Sequence, residues 1–468
     1  MTIGTLPDNV LLEAFEFYLG KDHVDEIDDE HNYDGWQTLV HVCHRWRFIV
    51  FASPRRLDVK LYYTRQRSVN PKMLDIWPPL PIVILAEDMK SKGDVAHVIA
   101  ALRSHNHRVC KIYYHSRKFQ DTFLKEFAAI DEPFPALRSL NIFSFAQNVP
   151  VLPDSFLGGS APLLQSLHLD GVPYPSIGKL FASTPNLVRL SLGCIPHSGY
   201  LAPETIVPYL SMLPRLKSLA LGFQYPRSRA HRASQLLPPS TRVAFPDLTY
   251  LGFHGDIGYL EDILSQIETP ILNRSHFRVL NQLIFDTPQL EPFIRHTEAF
   301  RTIHTARIEF SSFNVRVALL GQEEMANDNR EALRLDISCN PLDWQLSAVT
   351  QVLNSFLSSL PTLHSLEIAV SRKDWQCEIE VIQWQEFLQP FTSVKDLTLE
   401  FKSSVRLVAP ALQEFAGERA TEVLPALQNI FLQTHDWQPS GPVNEAINQF
   451  IATRQLYGRP VTVVTVLY

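Results

Sequence analysis

Cysteine is scarce in this 468-residue chain: Cys43, Cys110, Cys194, Cys339 and Cys377 share no paired spacing. An odd, scattered set excludes a disulfide framework and reads as reduced thiols inside a cell. No apolar run approaches the ~20 residues of a membrane span. The opening Met1-Thr-Ile-Gly-Thr has no basic region leading into an apolar stretch, so no signal peptide is expected. Basic charge is not in excess either, with 42 Lys and Arg against 49 Asp and Glu. Neutralising phosphates needs a basic footprint, so nucleic acid is not an expected partner. These absences predict a cytoplasmic or nuclear protein with no membrane partner.

Motifs for chemistry are equally thin. His41, Cys43 and His44 cluster, but no second pair completes a zinc set, and the proposed helix turns Cys43 inward. His105, His107 and His115 form no better set, and Gly158-Gly159-Ser160 lacks a strand-turn-helix setting. No phosphate-binding glycine loop, nucleophile elbow or His-Glu-x-x-His occurs. The expectation is a non-enzyme with no catalytic residue, metal or cofactor. An enzyme on a repeat scaffold would need a pocket of perturbed titratable groups.

What the chain has is a returning phrase, Leu-x-x-Leu-x-apolar, often with a proline just ahead. It reads Pro135/Leu137/Leu140/Ile142, Leu164/Leu167/Leu169, Pro185/Leu187/Leu190/Leu192, Pro214/Leu216/Leu219/Leu221, Pro246/Leu248/Leu251/Phe253 and Leu280/Leu283/Phe285. Later copies are Pro361/Leu363/Leu366/Ile368, Val394/Leu397/Leu399 and Pro425/Leu427/Ile430/Leu432. The anchors at 137, 164, 187, 216, 248 and 280 lie 23 to 32 residues apart, a period that marks a solenoid. Helical spacing fills the gaps, as at Val349, Val352, Leu353, Phe356, Leu357 and Leu360, until a proline hands the chain to the next strand. Ile82–Leu85 reads as the first strand and Val461–Val466 as the last, with Ile303/Ala306/Ile308 and Leu335/Ile337 as weaker copies.

The first sixty residues differ. Leu6-Pro7 opens a helix with Leu11, Phe15 and Tyr18/Leu19 at helical spacing. A second helical pattern runs through Trp36, Leu39, Val40, Cys43, Trp46 and Val50. Between them, residues 21–35 hold seven acids and one lysine, a solvated insert that fails the calcium-loop template at Ile27 and Tyr33.

Leu6-Pro7, then Val42-Cys43-His-Arg45-Trp46-Arg47 and Ser53-Pro54 with Leu57, resemble the F-box motif. Trp36-Gln-Thr-Leu39-Val-His-Val42-Cys43 resembles the phrasing of F-box proteins from mushroom-forming (basidiomycete) fungi. The resemblance implies a small helical bundle binding the Skp-type adaptor of a cullin-based (SCF) ubiquitin ligase, with repeats that select a protein substrate. It places Leu6, Pro7, Leu11, Phe15, Leu39, Val42, Cys43 and Trp46 against the adaptor, with the acidic insert as a departure. The alternative is a ligase-independent scaffold or sensor whose N-terminal helices only cap the solenoid.

The strand-plus-helix phrases resemble leucine-rich repeats. The expected fold is α/β: a helical domain at 1–61, then a solenoid at 62–468 with a curved parallel sheet and outer helices. The usual asparagine or cysteine after the phrase is missing, since Ile195 and Gln224 stand there. The x positions beside the central leucine face outward. Phe143, His168, Arg189, Tyr250, His254, Arg307, Glu367 and Phe431 are the candidates for substrate contact. Any single one also suits a half-exposed strand. Segments 223–243 and 321–331 interrupt the rhythm as loops.

Overall fold

The computed structural model describes residues 6–19, 35–64, 77–87, 89, 91–116, 122–146, 148–174, 178–224, 242–280, 282, 284–321, 331–339, 342–371, 381–414, 422–433 and 442–466. Most of the acidic stretch 21–35 and both interrupting loops lie outside this set. So do Thr5, Cys377 and Leu283. Two compact units divide the chain, Met1–Tyr200 and Leu201–Tyr468.

The first unit begins with three helices, α1 (Asp8–Leu19), α2 (Gly35–Val42) and α3 (His44–Ala52). Its sheet follows as β1 (Leu61–Thr64), β2 (Ile82–Glu87), α4 (Lys92–His105), β3 (Val109–Ser116), α5 (Thr122–Ala128), β4 (Ser139–Ser144), β5 (Ser166–Asp170), α6 (Gly178–Ala182) and β6 (Arg189–Ile195). Each strand pairs in parallel with the next. The first strand therefore precedes the expected Ile82: Leu61 lies beside Ile82. The single helical pattern over 36–50 is likewise corrected. Cys43 is extended (φ −161°, ψ 170°) and caps α3, so the chain makes two helices and leaves Cys43 exposed. Arg47 holds the break by donating from Nε to the Val40 carbonyl at 3.0 Å.

The second unit contains α7 (Pro203–Leu210), β7 (Ser218–Phe223), β8 (Val243–Ala244), β9 (Tyr250–Gly255), α8 (Ile257–Gln266), β10 (Ile267–Glu268), β11 (Arg274–Leu280) and α9 (Leu290–His296). It continues with β12 (Ile303–Phe310), β13 (Asn314–Gly321), β14 (Glu331–Ser338), α10 (Leu342–Phe356), β15 (Ser365–Val370), α11 (Val381–Leu388), β16 (Asp396–Glu400), α12 (Phe401–Gln413), β17 (Asn429–Gln433), α13 (Pro442–Leu456) and β18 (Thr462–Val466).

The repeating phrase opens on a tight turn that leads into each strand. Its proline takes the second place of a four-residue turn, which suits its fixed φ and missing N–H. The anchor leucine closes the turn: Leu137 N–H donates to Phe134 O at 3.2 Å, Leu187 to Thr184 at 3.1 Å, Leu363 to Leu360 at 3.2 Å and Leu427 to Leu424 at 3.0 Å. The next residue then donates to its counterpart one repeat earlier, as Gln165 N to Arg138 O and Val188 N to Gln165 O, both at 2.8 Å.

Behind the turns the apolar positions align across strands. Ile112, Leu140, Leu167 and Leu190 form one row and Tyr114, Ile142, Leu169 and Leu192 the next, all buried. In the second unit Ile308, Ile368, Leu399 and Leu432 form such a row. Each buried leucine contributes roughly 1.5–3 kcal/mol. Alternate residues point to the opposite face, which gives both units a leucine-rich-repeat-like mixed α/β architecture. Gly171 shows how tight the rungs are: its φ is +71°, and a Cβ there would stand 2.0 Å from the Ser144 carbonyl oxygen.

Two departures correct the regular array. The phrase at Leu280 is out of place, because β11 ends there and buries Phe277 and Val279 instead. Residues 303–338 are also not two simple repeats. They form a three-stranded antiparallel meander in which β14 lies beside β11 and β12 beside β15, giving the local order β11-β14-β13-β12-β15.

Candidate interaction surfaces

The helical bundle divides the residues expected to face an adaptor. Leu11, Phe15 and Leu39 are buried and form its core. Trp46 is half-buried with its ring 4.7 Å from that of Phe15, and Leu6 is half-buried too. Pro7, Val42 and Cys43 are exposed. Cys43 thus lies at the surface, against the inward orientation expected of it.

Sequence reasoning named Tyr18 and Val42 but missed Val10, Phe17 and Phe48, which complete a second apolar set. Val10, Phe17, Tyr18, Val42 and Phe48 are exposed, Phe17 at 90% and Phe48 at 64%. On α1, Val10, Ala14 and Phe17 follow at i, i+4 and i+7, one stripe beside the buried stripe of Leu11 and Phe15. The helix is therefore apolar over a wider arc than the bundle covers. The signal lay in the count of apolar positions around the helix, not in their period. Polar contacts fix how the helices meet: Arg45 pairs with Asp8 at 2.6 Å and Arg56 with Glu16 at 3.1 Å. Trp36 donates from Nε1 to Lys60 O at 2.9 Å and stacks edge-on to Trp77 at 5.3 Å.

The second surface is the polar side of the sheets. In the first unit, Phe143 on β4 gathers aromatic neighbours, with His168 at 4.5 Å, Tyr113 at 5.7 Å and His115 at 6.2 Å. Burial holds the His168 imidazole below its ordinary value despite nearby Asp170, so the ring favours its neutral form. Arg189 is exposed on β6. Phe143 and His168 are the two predicted residues in contact here.

In the second unit, Tyr250 and His254 stand half-buried on β9, and Phe431 on β17. The Tyr250 ring reaches over Gly252, where a Cβ would come within 3.1 Å of its hydroxyl. Burial raises the Tyr250 phenol, against the opposing charges of Arg274 and Arg334. Arg307 does meet Glu367, at 4.0 Å, and Glu400 more closely at 2.8 Å. Burial raises both carboxyls; Arg307 opposes this, while Glu400 adds to the rise at Glu367 and Glu309 to that at Glu400.

Sequence reasoning missed the hub of this face, Asp336 on β14. Its side chain is fully buried and accepts from His276 Nε2 at 2.8 Å, Arg316 Nε at 2.9 Å and Arg334 Nε at 3.0 Å. Burial pushes its carboxyl up, but the His276 and Arg316 hydrogen bonds and the Arg334 charge outweigh that. The group sits well below the usual carboxylate range. Arg316 also reaches Glu309 at 3.1 Å, so ion pairs link β14, β13 and β12, and the His276 hydrogen bond adds β11.

Among the described residues no group of His, Cys, Asp and Glu is placed to hold a metal ion, and no helix is long and apolar enough to cross a membrane. An open groove of about 520 Å³ lies between α10 and α11, lined by residues including Thr350, Gln351, Asn354 and Gln383.

No protein-family model and no curated protein matches the chain. Among solved structures, the leucine-rich repeat-containing protein LegL7 from Legionella pneumophila is similar over 78% of this chain and 96% of its own, at 13% identity and a TM-score of 0.31.

Proposed function

We propose that this chain is a protein-interaction scaffold, and more specifically the substrate-recognition subunit of a cullin-type ubiquitin ligase. In this reading α1–α3 are an F-box that docks on a Skp-type adaptor, and the polar sheet face receives a protein substrate. The observation that carries the reading is the exposed apolar set on the bundle, Val10, Phe17, Tyr18, Val42 and Phe48. Leaving so many large apolar groups in water is unfavourable unless a partner covers them. The resemblance of residues 5–61 to the F-box supplies the partner's identity. The chain would contribute proximity, raising the local concentration of a target lysine, and no chemistry of its own.

Co-elution of the full chain with a purified Skp-type adaptor tests this. Phe48→Asp and Val42→Asp alter exposed positions, so the bundle should stay folded while adaptor binding falls at least tenfold. A wild-type chain that never co-elutes with the adaptor sinks the proposal.

The second reading makes α1–α3 an end cap of the repeats. The seating of Trp36 on Lys60 and Trp77 favours it. Under that reading Trp36→Ala destabilises the first strands, and the adaptor is irrelevant.

A further inference from the structure

The outward side chains of the second unit's sheet are sorted by charge along the direction that crosses the strands. Strand registers and alternating burial place them on one face. β11 carries Arg274 and Arg278, β14 carries Arg334 and β13 carries Arg316, while the carboxylates among them are Asp336 and, at the start of β14, Glu331. Beyond them the balance reverses. β12 carries Arg307 with Glu309, β15 Glu367, and β16 Asp396 with Glu400. Four arginines thus stand with two carboxylates on one half, and one arginine with four carboxylates on the other.

The pairing within each half confirms the surplus. Asp336 serves two guanidinium groups and His276 together, whereas Glu367 and Glu400 both turn to Arg307. Crowding of Glu367 and Glu400 around one cation, with their carboxyls raised by burial, leaves that half favouring another positive charge.

We propose that this face binds a protein segment of opposite charge at its two ends, its acidic end over β11, β14 and β13 and its basic end over β15 and β16. This rests on the reading of the polar sheet face as a protein-binding surface and adds the partner's polarity. A nucleic acid or an anionic membrane fits poorly, since one sign throughout would be repelled by the acidic half. The span also sets a size. Five inter-strand steps at ~4.8 Å make about 24 Å. A helix of about 16 residues covers that length, or about seven residues of extended chain. Complementary potentials of this kind raise association rate and specificity more than raw affinity.

Two synthetic 16-residue probes of identical composition test it on the full chain by fluorescence anisotropy. One carries four glutamates at one end and four lysines at the other on an alanine background; its control alternates the same charges. The block probe should bind about tenfold tighter at low salt, with the preference fading as salt rises, because exposed charges are screened beyond ~10 Å at 0.1 M. Arg278→Glu and Asp396→Lys should each weaken the block probe about fivefold and leave the alternating probe unchanged. Equal binding of both probes overturns the polarity while leaving the face a peptide-binding surface. Binding of neither, or tighter binding of duplex DNA or anionic vesicles than of the block probe, overturns the inference altogether. Adaptor co-elution through α1–α3 is judged separately from all these outcomes.

Discussion

Asp336 is the residue on which most of the second unit's polar face turns. Its side chain has no access to water, yet it stays ionised because three donors converge on it. Asp336→Asn keeps the shape, removes the charge and leaves two guanidinium groups short of an acceptor. Breaking a buried charge network costs ~3–5 kcal/mol. About 3 kcal/mol is expected here, since Arg316 and Arg334 keep 32% and 27% of their side chains exposed. The pH dependence has a defined sign. The folded carboxyl titrates below its unfolded value near ~3.9, so its stabilisation is full above about pH 5 and is lost as pH falls toward the folded value. Glu367 and Glu400 act the other way. Their raised values add stability below about pH 4, which fades as pH climbs through them. Urea midpoints of both proteins at pH 7, 5 and 3 check this: the gap should be nearly the same at pH 7 and 5 and narrower at pH 3. A constant gap would show that Asp336 is not ionised in the folded chain.

At the scale of elements, α1 carries two apolar stripes with different duties. Phe15 is 2% exposed and packs on Trp46, so Phe15→Ala should cost about 3–5 kcal/mol and strip hydrogen-exchange protection from α1–α3. Phe17 is 90% exposed, and Phe17→Ser should change stability by no more than about 0.5 kcal/mol. If the two substitutions destabilise alike, the exposed stripe belongs to the fold and not to a partner. Elements built by local rules were legible in the sequence. Each proline-closed turn and each Leu-x-x-Leu strand is specified within ten residues, so the strands at Leu140, Leu167, Leu190 and Leu397 fall where their phrases stand. The break at Cys43 was hidden because the apolar period continues through it. β13 was hidden for another reason: Val315, Val317 and Leu319 alternate as a strand should, but they lie outside the leucine phrase. The Asp336 site shares that difficulty. A carboxylate on a strand's polar face looks ordinary until strand order brings in His276, 60 residues away, and Arg316, 20 residues away.

At the scale of the whole molecule, a stacked array couples mainly to its nearest neighbours, because each strand shares its core only with the rungs on either side. The meander tightens this locally by placing three mutually antiparallel strands between β11 and β15. Beneath it lies one dense aromatic cluster, in which Phe387 on α11 meets Trp384 at 5.7 Å, Phe391 at 5.6 Å and Phe310 of β12 at 6.2 Å. Phe387→Ala removes the ring at its centre and should cost about 3–5 kcal/mol. In a single cooperative core that loss would lower protection everywhere by the same amount. In a nearest-neighbour array it should fall on β12, β15 and β16 and leave β7 and β9 unchanged, since these lie five and four places from β12 in the second unit's strand order. Hydrogen exchange read strand by strand separates the two cases, and a uniform loss of protection across the second unit would refute the stacked-array account of its stability.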